Sequence, residues 1–269
     1  MLQKMTLNNG VLCYRSSLLE DCGVVHAFST RIGGVSHGAF ASLNLGNPSG
    51  TAIRDAQQNI TENYGRLLAG LGLTGKKLCR VHQVHGTGIL PVQQGDTPPL
   101  AQQADALLTQ APEFILSIRT ADCVPILVAD STGRHVAAVH AGWRGVVAGI
   151  LPATLAALQR MGVPIANLRV AIGPCISVTA FEVGQEVADD FHRLFPRHPV
   201  VQVQPNAKPH VNLPLAVKLQ AMHFGLAAEQ VDNADLCTFR DKAMFFSHRR
   251  DAELSGRLAA VISPRERDQ

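Results

Sequence analysis

Two short apolar runs, Val124-Pro-Ile-Leu-Val-Ala129 and His135-Val-Ala-Ala-Val-His140, lie close together in this chain, joined through Asp130-Ser-Thr-Gly133. Runs of this length read as neighbouring buried strands, and the polar, glycine-containing segment between them reads as a turn. In an antiparallel pair, Cys123 opens one strand and His140 closes the next, so both fall at the same end of the sheet. The expected fold is α+β: a single domain over residues 1–269, with mixed, largely antiparallel β-sheets flanked by helices and a metal site at the strand ends.

The chemistry comes from three residues: His85 in Gln83-Val-His-Gly86, Cys123 in Thr120-Ala-Asp-Cys123, and His140 in His140-Ala-Gly-Trp-Arg-Gly145. A thiolate and two neutral imidazoles suit borderline-soft Zn²⁺, and three protein ligands leave a fourth position for water or substrate. Their spacing alone does not join them, because only a fold brings such distant residues together. Each also has a bland reading: Cys123 as a buried inert thiol, and His140 as a core histidine bonded to backbone. His85, between turn residues, leans functional. Asp122 is an acceptor for a ligand histidine, a general base, or a strand-end cap. His82, on a strand, faces away from His85 and is left out of the metal set. Arg249-Arg250 reads as a solvated turn rather than a clamp.

Composition limits the rest. At 46% hydrophobic and 17% charged, 269 residues have material for a core, and no stretch approaches the roughly 20 apolar residues that span a bilayer. The N-terminus lacks a charged region followed by an apolar one, so a cytoplasmic location is expected. Six scattered cysteines without a CxxC pair read as reduced thiols. With a net charge of +3 and no long basic block, neither nucleic acid nor membrane is an expected partner, while small anions such as phosphate are compatible.

Along the chain, a strand region over 11–29 leads into the glycine-rich loop 30–38, where Arg31 is suited to hold an oxyanion. Helical spacing predicts a surface helix over 51–71, and a strand over 78–84 delivers His85. An exposed loop is expected over 93–103 and a helix over 145–161, with Pro152 in its first turn or kinking it. Arg144 sits at that helix's entrance, a favourable place for an anion. A strand over 168–173 follows, then helices over 183–194 and 213–224, the latter capped by Asn212 with Pro214 in its first turn. Short strands around 244–247 and 258–262 complete the reading.

Taken together, Ser29-Thr-Arg-Ile-Gly-Gly-Val-Ser36, Ala41-Ser-Leu-Asn-Leu-Gly46, the three segments above, Ile172-Gly-Pro174, Phe181-Glu-Val-Gly184 and Phe245-Phe-Ser247 with Arg249-Arg-Asp251 resemble the YfiH family. Its members have been described as multicopper polyphenol oxidases or laccase-domain proteins, and as purine nucleoside phosphorylases of the laccase-domain type. The resemblance spans nearly the whole chain, in order. It implies a zinc site at His85, Cys123 and His140, with copper the alternative metal, and a pocket to which Arg31 and Asn44 contribute. It also implies phosphorolysis of adenosine, inosine, guanosine and methylthioadenosine, and deamination of adenosine. The expected partners are a purine nucleoside and phosphate, in a monomer or homodimer. His248 and Phe40 depart from tyrosines common in the family, which bears on substrate preference at the pocket rim.

For deamination the metal would activate water for attack at C6 of adenine, with Asp122 as proton carrier. For phosphorolysis Arg31 and Arg144 would hold phosphate and stabilise the departing purine. Three other readings stand beside these: a copper-dependent polyphenol oxidase, a peptidoglycan-editing cysteine hydrolase with Cys123 as nucleophile and His140 as base, and a non-catalytic binding module.

Overall fold

The computed structural model describes residues 2–48, 50–97, 102–203 and 205–266. Two six-stranded sheets form its centre. The first is made of β1 (Leu2–Thr6), β2 (Leu12–Ser16), β3 (Val25–Ser29), β4 (Lys77–Cys79), β7 (Phe114–Thr120) and β14 (Leu258–Ser263), in the order β1-β2-β3-β14-β7-β4. The second holds β5 (Ile89–Val92), β6 (Ala106–Thr109), β8 (Val124–Asp130), β9 (Val136–Ala141), β10 (Leu168–Ile172) and β13 (Val231–Asn233), in the order β13-β10-β8-β9-β6-β5. Pairing is antiparallel except for β4 with β7, β5 with β6, and β10 with β13. A small antiparallel pair, β11 (Val201–Gln202) and β12 (His210–Val211), lies apart.

Side-chain alternation explains the layering. In β8, Ile126 and Val128 join one apolar cluster, while Leu127 and Ala129 join another that includes Phe28, Leu116, Ile118 and Ile262 of the first sheet. The two sheets therefore pack face to face through the second cluster. On the outer face of the first sheet lies α2 (Gln57–Gly70), which contributes Ile60, Tyr64 and Leu67. The outer face of the second is covered by α3 (Trp143–Val147), α4 (Ile150–Arg160), α5 (Gln185–Leu194) and α6 (Leu213–Phe224), through residues such as Val146, Leu155, Phe191 and Val217. A sheet buried on both faces needs apolar residues at every position, which is why β8 and β9 are continuous apolar runs. Each fully buried Val, Leu or Ile contributes roughly 1.5–3 kcal/mol of burial. The short α1 (Ser17–Glu20) and α7 (His248–Asp251) complete the set.

The mixed, largely antiparallel α+β architecture is the one expected, and β8 pairs with β9 antiparallel, Pro125 opposite His140. Several local expectations need correction. The 11–29 region is two strands split by α1. The helix expected from 51 begins at Gln57. The 145–161 helix is two, because Gly149 takes φ +82 and breaks the ladder, leaving Pro152 in the first turn of α4 where its missing N–H is harmless. No strand forms over 244–247. Phe245 and Phe246 are fully buried there, but Met244 and Phe245 donate their N–H groups to the Asp241 carbonyl in a turn. Of the loop expected over 93–103, residues 98–101 lie outside the described residues. The α6 reading holds: Asn212 accepts from the Leu215 N–H, Pro214 sits in the first turn, and Gly225 closes the helix at φ 113.

Candidate metal centre and cleft

The start of β8, the end of β9, the end of β7 and the start of β14 share one end of the molecule, with Val124 opposite Ala141 and Leu258 opposite Thr120. Cys123 and His140 meet there because they share the face of the second sheet that looks toward the first. His85 arrives by another route. The strand expected over 78–84 stops at Cys79, and the chain then leaves the first sheet for the second. Gln83 steers that crossing. Its side-chain amide donates to the Arg119 carbonyl at 2.7 Å and accepts from the Arg119 N–H at 2.9 Å, doing beside β7 what a further strand residue would do.

His85, Cys123 and His140 bring one ligand atom each to within 4.8 Å of one another, and the two imidazoles meet edge to face with centroids 4.8 Å apart. One sulfur and two ring nitrogens form a donor set suited to zinc, and also to copper. Gly142 makes the approach possible. A Cβ there would stand 2.7 Å from His85 Cδ2 and 3.2 Å from Cys123 Sγ.

The group that organises the cluster is Asp105, which sequence reasoning missed. Fully buried, its carboxylate accepts from His140 Nδ1 at 2.8 Å and from the backbone N–H groups of His85 at 2.9 Å and Gly86 at 2.7 Å, with Val84 N–H at 3.3 Å. The bond to Nδ1 leaves Nε2 of His140 free for a metal. Three successive amides turned onto one carboxylate also hold His85 at φ 60, in the left-handed region. Burial alone would raise the Asp105 carboxyl, but these hydrogen bonds together keep it below its ordinary range. Burial likewise pushes the Cys123 thiol up, yet the His140 and His85 imidazoles outweigh it and bring it down to about 6. For His140, burial works downward while the Cys123 sulfur and Asp105 lift it to about 9. Without a metal, the pair favours thiolate and imidazolium.

The cluster opens into a cleft of about 300 Å³, at the lower end of small-ligand sites. Beyond the three ligands its walls include His82, Gln83, Arg119, His248 and Arg257. The strand reading that turned His82 away does not apply, because residue 82 lies in the crossover, where it forms an isolated bridge with Gln103. His248 reaches the cleft; Phe40 is buried and is not among its lining residues.

The other candidate residues lie outside that lining. The Arg31 guanidinium donates to the carbonyls of Ala41, Lys242 and Ala39 and stacks at 4.4 Å on Phe246, closing the glycine-rich loop. Asn44 is fully buried, donating to Asp55 and accepting from the backbone N–H groups of Gly46 and Arg257. Arg144 is exposed and lies over the Trp143 ring at 4.4 Å, on a helix of only five residues. The Asp122 carboxylate accepts from the Thr238 hydroxyl and the Arg249 N–H, both at 2.6 Å, and does not bond a ligand histidine. Arg250 is a staple rather than a solvated turn residue, donating to the carbonyls of Thr238, Phe239 and Phe245.

Residues 25–265 match the family model described as multi-copper polyphenol oxidoreductase laccase. The purine nucleoside phosphorylase YfiH of Escherichia coli is 35% identical over 240 residues, covering 89% of this chain and 93% of that protein. The chain belongs to the YfiH family. A relative from Bacteroides thetaiotaomicron, also named purine nucleoside phosphorylase, is 34% identical over 268 residues, covering 96% of this chain and 97% of its own. Among solved structures, YlmD from Geobacillus stearothermophilus superposes with a TM-score of 0.87 at 29% identity, covering 98% and 99% of the two chains. The YfiH-family fold is thus present along nearly the whole chain. No helix is long and apolar enough to cross a membrane among the described residues.

Proposed function

We propose that this YfiH-family protein is a purine nucleoside phosphorylase with zinc bound at His85, Cys123 and His140. The observation that carries the reading is the sulfur–imidazole–imidazole cluster at the floor of a nucleoside-sized cleft. It is supported by relatives named for that activity, a third identical over nearly the full chain. The donor set fits the ion, and Gly142 and Asp105 fit the donors to each other. When bound, zinc supplies a Lewis acid that stabilises developing negative charge.

Phosphorolysis breaks the bond between C1′ and the purine nitrogen and forms one between C1′ and a phosphate oxygen, releasing free base and ribose 1-phosphate. Two tasks fall to the chain: holding the two substrates in line, and supplying a proton to the departing base. His82 and His248 are the lining imidazoles outside the metal cluster and are assigned the second task. Deamination of adenosine, and phosphorolysis of inosine, guanosine and methylthioadenosine, belong to the same proposal. So does the cytoplasmic setting.

The test is product analysis from adenosine with and without phosphate. The proposal expects adenine and ribose 1-phosphate only when phosphate is present, with inosine reporting the deaminase activity. Free ribose in place of ribose 1-phosphate, or no turnover by metal-loaded protein, would refute it.

One observation favours a second reading. Cys123, His140 and Asp105 form a thiol–imidazole–carboxylate chain with the thiol lowered to about 6, an arrangement that also serves a cysteine hydrolase. Metal-free turnover with covalent labelling of Cys123 would support that reading. A laccase would need several coppers, whereas among the described residues only His85, Cys123 and His140 group as metal-ligating side chains.

A further inference from the structure

We propose that Arg119 and Arg257 form an oxyanion subsite in the cleft and that its ligand is inorganic phosphate, an inference that rests on the phosphorolysis reading. Phosphate was expected at Arg31 and Arg144, but the first is committed to carbonyls and the second lies on Trp143 outside the cleft lining. The two arginines that do line the cleft come from adjacent strands. Arg119 is paired with Ala259 in the β7–β14 ladder, and Arg257 immediately precedes β14. Gly46 lies against both residues: a Cβ there would stand 2.9 Å from Arg119 Cδ, 3.1 Å from its Nη1 and 3.5 Å from Arg257 Cβ.

The two guanidinium groups repel one another, and the Cys123 sulfur and the Asp122 carboxylate oppose that repulsion. No Asp or Glu is among the cleft's lining residues within the described chain. Arg119 spends its backbone N–H and C=O on Gln83, and its guanidinium has no hydrogen bond or ion pair among the described residues. Arg257 is anchored through Nη1 on the Ser255 and Gly256 carbonyls, which fixes the fork and leaves its other donors. Burial lowers the Arg257 guanidinium; the Cys123 sulfur and, less strongly, the Asp122 carboxylate oppose that shift, and Arg119 adds to it. A ligand that supplies two negative charges and several acceptor oxygens satisfies both forks, and phosphate near neutral pH does so. Carbonyl-rich or neutral ligands do not remove the repulsion.

The experiment titrates inorganic phosphate into the metal-loaded full chain, followed by calorimetry or ³¹P NMR, alongside KM measurements for phosphate and nucleoside. Variants are Arg119→Gln, Arg119→Lys and, as an unrelated surface change, Arg193→Gln. The proposal expects R119Q to weaken phosphate binding and raise its KM about tenfold to a hundredfold, the cost of a charge-assisted pair. Nucleoside KM and metal content stay unchanged, R119K falls between, and R193Q matches wild type. Adenosine 5′-monophosphate is titrated in parallel. Arg119-dependent binding of the nucleotide without any of free phosphate would overturn the assignment. So would R119Q binding phosphate as tightly as wild type, even if the enzyme phosphorolyses nucleosides. Arg119-dependent phosphate binding in a protein with no phosphorolysis would keep the subsite and remove the proposed function alone.

Discussion

Replacing Asp105 by asparagine preserves the shape of the most connected side chain in the metal centre while removing its charge. The carboxylate uses Oδ1 for His140 Nδ1 and the His85 N–H, and Oδ2 for the Gly86 and Val84 N–H groups. Asparagine keeps one acceptor oxygen and must turn an N–H₂ toward the other donors. At least two hydrogen bonds are lost, each worth about 1.5–3 kcal/mol to a charged acceptor, and buried N–H groups remain without partners. A loss of about 3 kcal/mol is expected, read as a lower urea midpoint of the metal-free protein at unchanged slope. Because His140 also loses the anion that fixes its tautomer, metal affinity falls about 10–100-fold in chelator competition. A D105N protein with wild-type midpoint and metal affinity would refute the claim that this carboxylate assembles the cluster.

Gly142→Ala introduces a Cβ 2.7 Å from His85 Cδ2, so it should shed most of the bound metal while unfolding within about 1 kcal/mol of wild type; full metal content would show that His85 can move aside. His26 is held down to about 4 by burial, against an ordinary value of 6.5. Its neutral form is the stable one, so its contribution is complete above pH 6.5 and lost as pH falls toward 4, about 3 kcal/mol in all. Urea unfolding between pH 7.5 and 5 should therefore show a slope that His26→Gln flattens, and equal slopes would contradict the burial argument. Asp122→Asn should cost about 1–2 kcal/mol through its bonds to Thr238 and Arg249 and leave the limbs of the pH–rate profile in place; loss of a limb would restore Asp122 as a proton carrier.

What the sequence disclosed follows from how local each cause is. The β8–β9 pair was legible because a strand buried on both faces must be apolar throughout, and the α6 cap because Asn212 and Pro214 act within one turn. Gly149 was passed over because periodicity continued across it. At the site, Cys123 and His140 were placed by register, whereas Asp105 is joined to His140 across two strands and carries no local mark in Gln-Ala-Asp-Ala. Arg119 did leave a trace: it is the lone charge in the otherwise nearly apolar Phe114–Thr120 strand, a position that needs a reason. Arg31 and Asn44 stand in well-marked motifs, yet their contacts are with carbonyls, Asp55 and the chain around Arg257, which no spacing reveals.

The account depends above all on one ion being held by one sulfur and two imidazoles. Elemental analysis of wild type beside Cys123→Ala measures this directly: the wild type should carry a single zinc per chain, and the variant should lose both the metal and purine release. Several coppers per wild-type chain, or a variant retaining its zinc and full turnover, would contradict it.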